Sequence, residues 1–198
     1  MPPSINSICV YCGANPGQDA AYADAANQLG QLLADRSIEL VYGGGNVGLM
    51  GTIADAVMAG GGRVTGIIPK AIADVEVAHR AVTELHIVGN MHERKSMMAR
   101  RADAFIVLPG GIGTMEEMFE AWTWAQLGIH HKPIGLLNTH GYYDALLKFL
   151  DAMSGEGFLK PAHRSMLLTG TTPESVLQTL LEAEPEKDAA WEGKWTQI

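Results

Sequence analysis

One stretch narrows the choice of fold more than any other. From Ala104 to Trp124 the chain reads ADAFIVLPGGIGTMEEMFEAW. A short apolar run ends at Pro109, Gly110, Gly111 and Gly113 follow, and helical spacing opens at Thr114 with Glu116 and Glu117 in its first turn. A buried strand entering a tight glycine turn and then a helix is part of a βαβ unit. Backbone N–H groups at such a helix start have no intrahelical partners and lie at the positive end of the helix dipole, so the turn suits an anion. The glutamates add a candidate general base, or a carboxylate that stabilises positive charge.

The rest of the chain repeats the pattern. Strands are predicted at Ile8–Tyr11, Ile38–Tyr42, Val64–Ile68, Glu84–Val88, Ile134–Leu137 and Met166–Leu168, besides Ala104–Leu108. Helical spacing covers Asp19–Arg36, Leu49–Ala59, Tyr142–Ser154 and Pro173–Glu182, and Asn90-x-x-Glu93 opens a further helix to Arg101. The segment 71–81 reads as a loop or a broken helix. This alternation predicts an α/β protein: a doubly wound, mostly parallel sheet of about seven strands with helices on both faces. Residues 1–184 form one domain on this reading, and 185–198 a loosely attached tail. In such sheets ligands bind beyond the carboxyl ends of the strands.

Composition sets the class of ligand. A formal net charge of −8 and a pI near 5.3 argue against long nucleic acid and against an anionic membrane surface. A small phosphorylated ligand needs only a local basic cluster, and Arg94, Lys95, Arg100 and Arg101 provide one. The first residues have neither a basic n-region nor an apolar run of secretory length, so the expectation is a cytoplasmic protein. Cys9 and Cys12 have C-x-x-C spacing, but residues three apart on a strand face opposite ways, which predicts two ordinary buried thiols.

Several chemistries lack their residues. Gly43, Gly45 and Gly48 satisfy G-x-G-x-x-G, yet no carboxylate stands about 20 positions later, where a dinucleotide site needs one. Neither glycine turn continues into Lys-Ser or Lys-Thr, the seven histidines show no metal-ligand spacing, and no G-x-S-x-G elbow occurs. No cofactor or metal is expected. The turn Gly43-Gly44-Gly45 is either a tight packing turn or a further ligand contact. Thr114-x-x-Glu117 can likewise be read as a capping box that only closes its helix, with Glu116 and Glu120 as surface charges. Against that, the helical wheel puts Met115, Met118, Phe119 and Trp122 on one face and Trp124 opposite, beside Glu117, where a ligand or a second subunit would have to cover it.

Taken together, the blocks PGGIGTMEE (Pro109–Glu117), YGGGNVGLMG (Tyr42–Gly51), GIIPK (Gly66–Lys70), MHERKSMMARRADAFIVLPGG (Met91–Gly111) and TWAQLGIHHKPIGLLN (Thr123–Asn138) resemble the LOG family. The family consists of the cytokinin riboside 5′-monophosphate phosphoribohydrolases, and the resemblance spans about Ile8–Leu159. It implies a Rossmann-like homodimer that hydrolyses the N-glycosidic bond of N6-substituted adenosine monophosphate to free base and ribose 5-phosphate. It also implies Arg94 and Glu117 as the catalytic pair, with nucleotide contacts at Glu76, Lys95, Gly111, Ile112, Gly113, Thr114, Met115, Glu116 and Thr123. Ala14 and Asn15 stand where many members have serines. The older label of lysine decarboxylase finds no pyridoxal phosphate site in the sequence. The molybdenum cofactor carrier proteins, similar in fold and glycine turns, hold a phosphorylated pterin without turning it over and supply the rival, non-catalytic reading.

Overall fold

The computed structural model describes residues 5–73 and 78–183. Seven strands form one sheet: β1 (Ser7–Tyr11), β2 (Glu39–Tyr42), β3 (Val64–Pro69), β4 (Glu84–Val88), β5 (Ala104–Val107), β6 (Ile134–Leu137) and β7 (Leu167–Gly170). Their order is β4-β3-β2-β1-β5-β6-β7, and every adjacent pair is parallel. The winding reverses between β1 and β5, so the crevice beyond their carboxyl ends is the topological switch point.

Alternation along the strands feeds two cores. Ile8 and Val10 of β1 join Leu40, Tyr42, Ile106 and Leu108 under α1 (Ala20–Asp35), α2 (Gly48–Ala59) and α8 (Pro173–Glu182). Cys9 and Tyr11 join Val41, Phe105 and Val107 under α4 (Met91–Arg101), α5 (Ile112–Gln126) and α6 (Asp144–Gly155). Helices therefore cover both faces, as the apolar strands require. Cys9 and Cys12 are buried in opposite cores, as their spacing predicts. A Cβ on Gly30 would lie 2.6 Å from the Ala56 Cβ, so glycine there lets α1 and α2 pack closely.

The helix starts show which local readings hold. Asp19 caps α1 by accepting from Ala21 N at 2.9 Å, and Asn90 caps α4 by accepting from Glu93 N at 2.9 Å. Glu93 does not close a capping box with Asn90; its carboxylate accepts from Gly89 N at 2.8 Å instead. The larger correction is at α5. It begins at Ile112 with Gly111 as N-cap, not at Thr114, so Thr114 and Glu117 lie inside the helix and form no capping box. Glu116 and Glu117 accordingly fall in its second turn.

Elsewhere the expected helix at Tyr142 starts later, after a 3-10 turn at Thr139–Gly141, and a short α7 (Pro161–Ser165) precedes β7. The ambiguous segment opens with a one-turn α3 (Lys70–Ala73), and Ala78 then makes an isolated antiparallel bridge to Gly45. Glu76 and the tail 185–198 lie outside the described residues. No helix among the described residues is long and apolar enough to cross a membrane.

Candidate active site

A cavity of about 570 Å³ opens at the switch point. Its walls come from three βα turns: Cys12–Gly17 after β1, the start of α2 with Leu49 and Met50, and, after β5, Pro109, Gly110, Gly111, Gly113, Thr114, Glu116 and Glu117. Ile72, Met91 and Arg94 complete it on one side, Tyr22 and Tyr142 on another. The turns are bonded to one another. Gly13 N donates to Pro109 O at 3.1 Å, and Leu49 N donates to Gly13 O at 3.0 Å. Tyr143 Oη donates to Leu108 O and Tyr142 Oη to Gly110 O, both at 2.7 Å, fixing the exit of β5.

Helix α5 enters this frame with its N-terminus open. Gly111 and Gly113 line the cavity, neither has positive φ, and a Cβ on either would meet no atom within 4 Å. Gly110 is glycine for the opposite reason, since a Cβ there would lie 2.1 Å from Thr114 Oγ1. The fold thus requires Gly110, whereas the bare backbone at Gly111 and Gly113 leaves room for a ligand to approach the helix dipole.

Arg94 and Glu117 face each other across α4 and α5. Both are buried, 6% and 9% exposed, and both line the cavity, with Arg94 Nη2 at 3.8 Å from Glu117 Oε1. That separation is an ion pair, too long for a hydrogen bond between those atoms. Arg94 Nη2 also donates to Gly43 O at 3.3 Å, while Nε has no hydrogen-bond partner among the described residues. An unsatisfied donor on a buried guanidinium beside a cavity is where a ligand oxygen would be expected. The Glu117 carboxylate belongs to the buried stripe Thr114, Glu117, Met118, Ala121, Trp122 and Ala125, not to a solvent-facing side. Trp124, expected there too, is half-buried and packs against the same core as Met118 and Trp122.

Lys95 stands beside this pair with a different job. It is buried and its Nζ donates to Glu116 and, at 3.0 Å, to Glu120, joining α4 to α5. Burial opposes its charge, but the hydrogen bonds and charges of both glutamates outweigh burial and raise its pKa. Lys95 and Arg94 together offset the negative field of Glu116, Glu117 and Glu120. On the wall nearby, burial pushes the Cys12 thiol up and the Glu117 charge adds to the shift, so this cysteine is no nucleophile.

The remaining sequence expectations divide. Arg94, Glu117, Gly111, Gly113, Thr114 and Glu116 come together around the cavity. Lys95 does not line it but holds Glu116, which does. Ile112 is 86% exposed, Met115 packs half-buried on the core, and Thr123 is exposed on α5 two turns further along; none of these lines the cavity. Gly43 acts as the seat of Arg94, Gly44 adopts φ +77° against Ile67 and Ile68, and Gly45 bridges Ala78. The aromatic wall of Tyr22 and Tyr142, whose rings meet edge to face at 5.6 Å, carries no local sequence signal. No group of residues suited to a metal ion occurs among the described residues. Among the described residues no lysine lines the cavity either.

Known proteins resemble the chain throughout this region. The family model described as "Possible lysine decarboxylase" matches residues 50–180. A probable cytokinin riboside 5′-monophosphate phosphoribohydrolase of Oryza sativa subsp. japonica is 55% identical over 87% of this chain and 78% of its own length. A cytokinin riboside 5′-monophosphate phosphoribohydrolase of Arabidopsis thaliana is 50% identical over 91% and 83%. Among solved structures, the molybdenum cofactor carrier protein of Chlamydomonas reinhardtii aligns with a TM-score of 0.67 at 19% identity, covering 89% of this chain and 96% of that one. At that identity the likeness speaks for the fold alone.

Proposed function

The chain belongs to the LOG family, and from that premise we propose that it is a phosphoribohydrolase acting on cytokinin riboside 5′-monophosphates. It hydrolyses the N-glycosidic bond of an N6-substituted adenosine 5′-monophosphate, giving free base and ribose 5-phosphate. The observation that carries this reading is the buried Arg94–Glu117 pair at 3.8 Å, set in one cavity with the open N-terminus of α5.

In this mechanism the 5′-phosphate sits against the backbone of Gly111, Gly113 and Thr114, where helix N–H groups favour a dianion. Phosphate binding holds the sugar with its anomeric carbon toward Glu117. As the glycosidic bond breaks, positive charge grows on the sugar ring, and the Glu117 carboxylate stabilises it and accepts a proton from the attacking water. The water oxygen bonds to the anomeric carbon, the base leaves with the bonding electron pair and takes up a proton from solvent, and Glu117 gives the water's proton back to solvent. Arg94 orients the nucleotide and supports departure of the base through the donor it has left over. Leu49, Met50, Ile72 and Met91 give the cavity an apolar side suited to an N6 substituent. A cytoplasmic homodimer acting on nucleotides, not on nucleic acid or membranes, fits the acidic composition.

The test is release of base from the monophosphate by the purified protein, followed by chromatography. Glu117→Gln and Arg94→Ala are each expected to lower kcat by at least about 100-fold, the range that loss of a general acid–base group brings. Full activity in both variants overturns the mechanism, and copurification of a pterin with an inactive protein would place the chain with the carriers instead.

A further inference from the structure

Asp55 and His79 line no part of the cavity, yet they hold the segment on which Arg94 is seated. His79 is 5% exposed and its Nε2 lies 2.9 Å from Asp55 Oδ1 on α2. Its backbone N–H donates to Gly44 O at 2.9 Å, and the preceding Ala78 bridges Gly45 and donates to Ala73 O at 3.1 Å. The glycine turn after β2 is therefore bonded to this strap at two successive residues, while the side chain of His79 anchors the strap to α2.

The turn in question carries the Arg94 seat. Gly43 O accepts from Arg94 Nη2 at 3.3 Å, and a Cβ on Gly43 would lie 1.9 Å from that nitrogen. The guanidinium rests on the Gly43 backbone with no room to spare, so a shift of the turn moves the guanidinium relative to Glu117. Ala73, whose carbonyl accepts from Ala78 N, ends α3, and Ile72 of that helix lines the cavity. We propose that Asp55 and His79 are positioning residues: a clamp outside the cavity that fixes the Gly43–Gly45 turn and, through the Gly43 carbonyl, the working position of Arg94.

The inference rests on the hydrolase reading and on Arg94 acting in it, so Arg94→Ala is measured alongside. Steady-state hydrolysis of N6-prenylated adenosine monophosphate and thermal unfolding are followed for Asp55→Ala, His79→Ala and His79→Gln. Displacing a group at a reacting centre by about 1 Å costs up to about 100-fold in rate, and His79→Ala and Asp55→Ala are expected to lower kcat by about 10- to 100-fold, with KM changed less. The double variant should lose no more than the worse single one, because both break one contact. His79→Gln, whose amide nitrogen can still donate to Asp55, should recover most of kcat. An unchanged kcat in folded His79→Ala, or equal losses in His79→Gln and His79→Ala, overturns the clamp. If Arg94→Ala is itself fully active, the hydrolase mechanism fails first, and that outcome is distinct from failure of the clamp.

Discussion

A methyl group added at Gly43 would collide with the Arg94 guanidinium, whereas one added at Gly113 would meet nothing within 4 Å. Both residues stand beside the same chemistry, so the pair separates what the fold needs from what the ligand needs. Gly113→Ala places alanine in the first turn of α5, where it is the better helix former by about 1 kcal/mol. Its thermal midpoint should hold or rise. If the phosphate lies against that backbone, the methyl takes its space, and KM for the monophosphate should rise by about 10-fold or more, a loss of roughly 1.4 kcal/mol in binding. An unchanged KM would move the anion seat away from the α5 terminus. At this scale the residues to which the sequence blocks point, Arg94, Glu117 and the glycines of the turn, line one cavity. The blocks could not show that Gly43 seats Arg94, because that contact joins residues 51 apart in the chain. Nor could they show Lys95 turned toward Glu116 and Glu120, since a basic residue next to Arg94 reads equally well as a ligand contact.

Helix α5 shows how an element can be recognised and still be misplaced by part of a turn. Large apolar side chains suggest a face of Met115, Met118, Phe119 and Trp122, but the buried stripe includes Thr114, Glu117, Ala121 and Ala125. Small residues let the helix lie close to the sheet, so the contact face follows size complementarity more than hydrophobic weight. The start was shifted for a related reason: glycine is a poor helix former, and Gly113 hides the turn that begins at Ile112. With the helix rotated, its outward row becomes Ile112, Glu116, Phe119, Thr123 and the C-cap Leu127, at successive intervals of three or four residues. Ile112, Phe119 and Leu127 are 86%, 37% and 52% exposed. The three apolar side chains of this open row are where the second copy of the proposed homodimer would pack. Phe119→Glu puts a charge in the middle of it. Light scattering is expected to show a dimer for the native chain and a monomer for the variant at micromolar concentration. A native monomer, or a variant that stays dimeric, removes this row from the interface.

Across the whole molecule, the alternation of strands and helices was sufficient to predict the parallel sheet and the end of it at which the cavity opens. The strand order was not legible, because it depends on which strands pair after the chain reverses at β1, and local pattern does not record that choice. The far end of the sheet from the cavity supplies a property of the folded state as a whole. His130, in the loop before β6, is 4% exposed, its Nε2 is 2.9 Å from Ala121 O, and its Nδ1 accepts from Lys132 N at 3.1 Å. Those two contacts fix the neutral tautomer, with the proton on Nε2. Burial first, then the charges of Lys132 and His131, lower its pKa from 6.5 to about 4. A histidine with a depressed folded pKa is neutral in both states above its unfolded value and protonates only in the unfolded chain between the two values. Stability is therefore complete above about pH 6.5 and falls as pH drops toward about 4. The shift corresponds to at most about 3 kcal/mol. Urea unfolding at pH 7.5 and pH 5 should show the native midpoint falling on acidification. In His130→Gln, which can still donate to Ala121 O and accept from Lys132 N, the fall should be smaller by about 2 kcal/mol of unfolding free energy. Equal acid sensitivity in the two proteins would mean that His130 binds its proton as readily folded as unfolded.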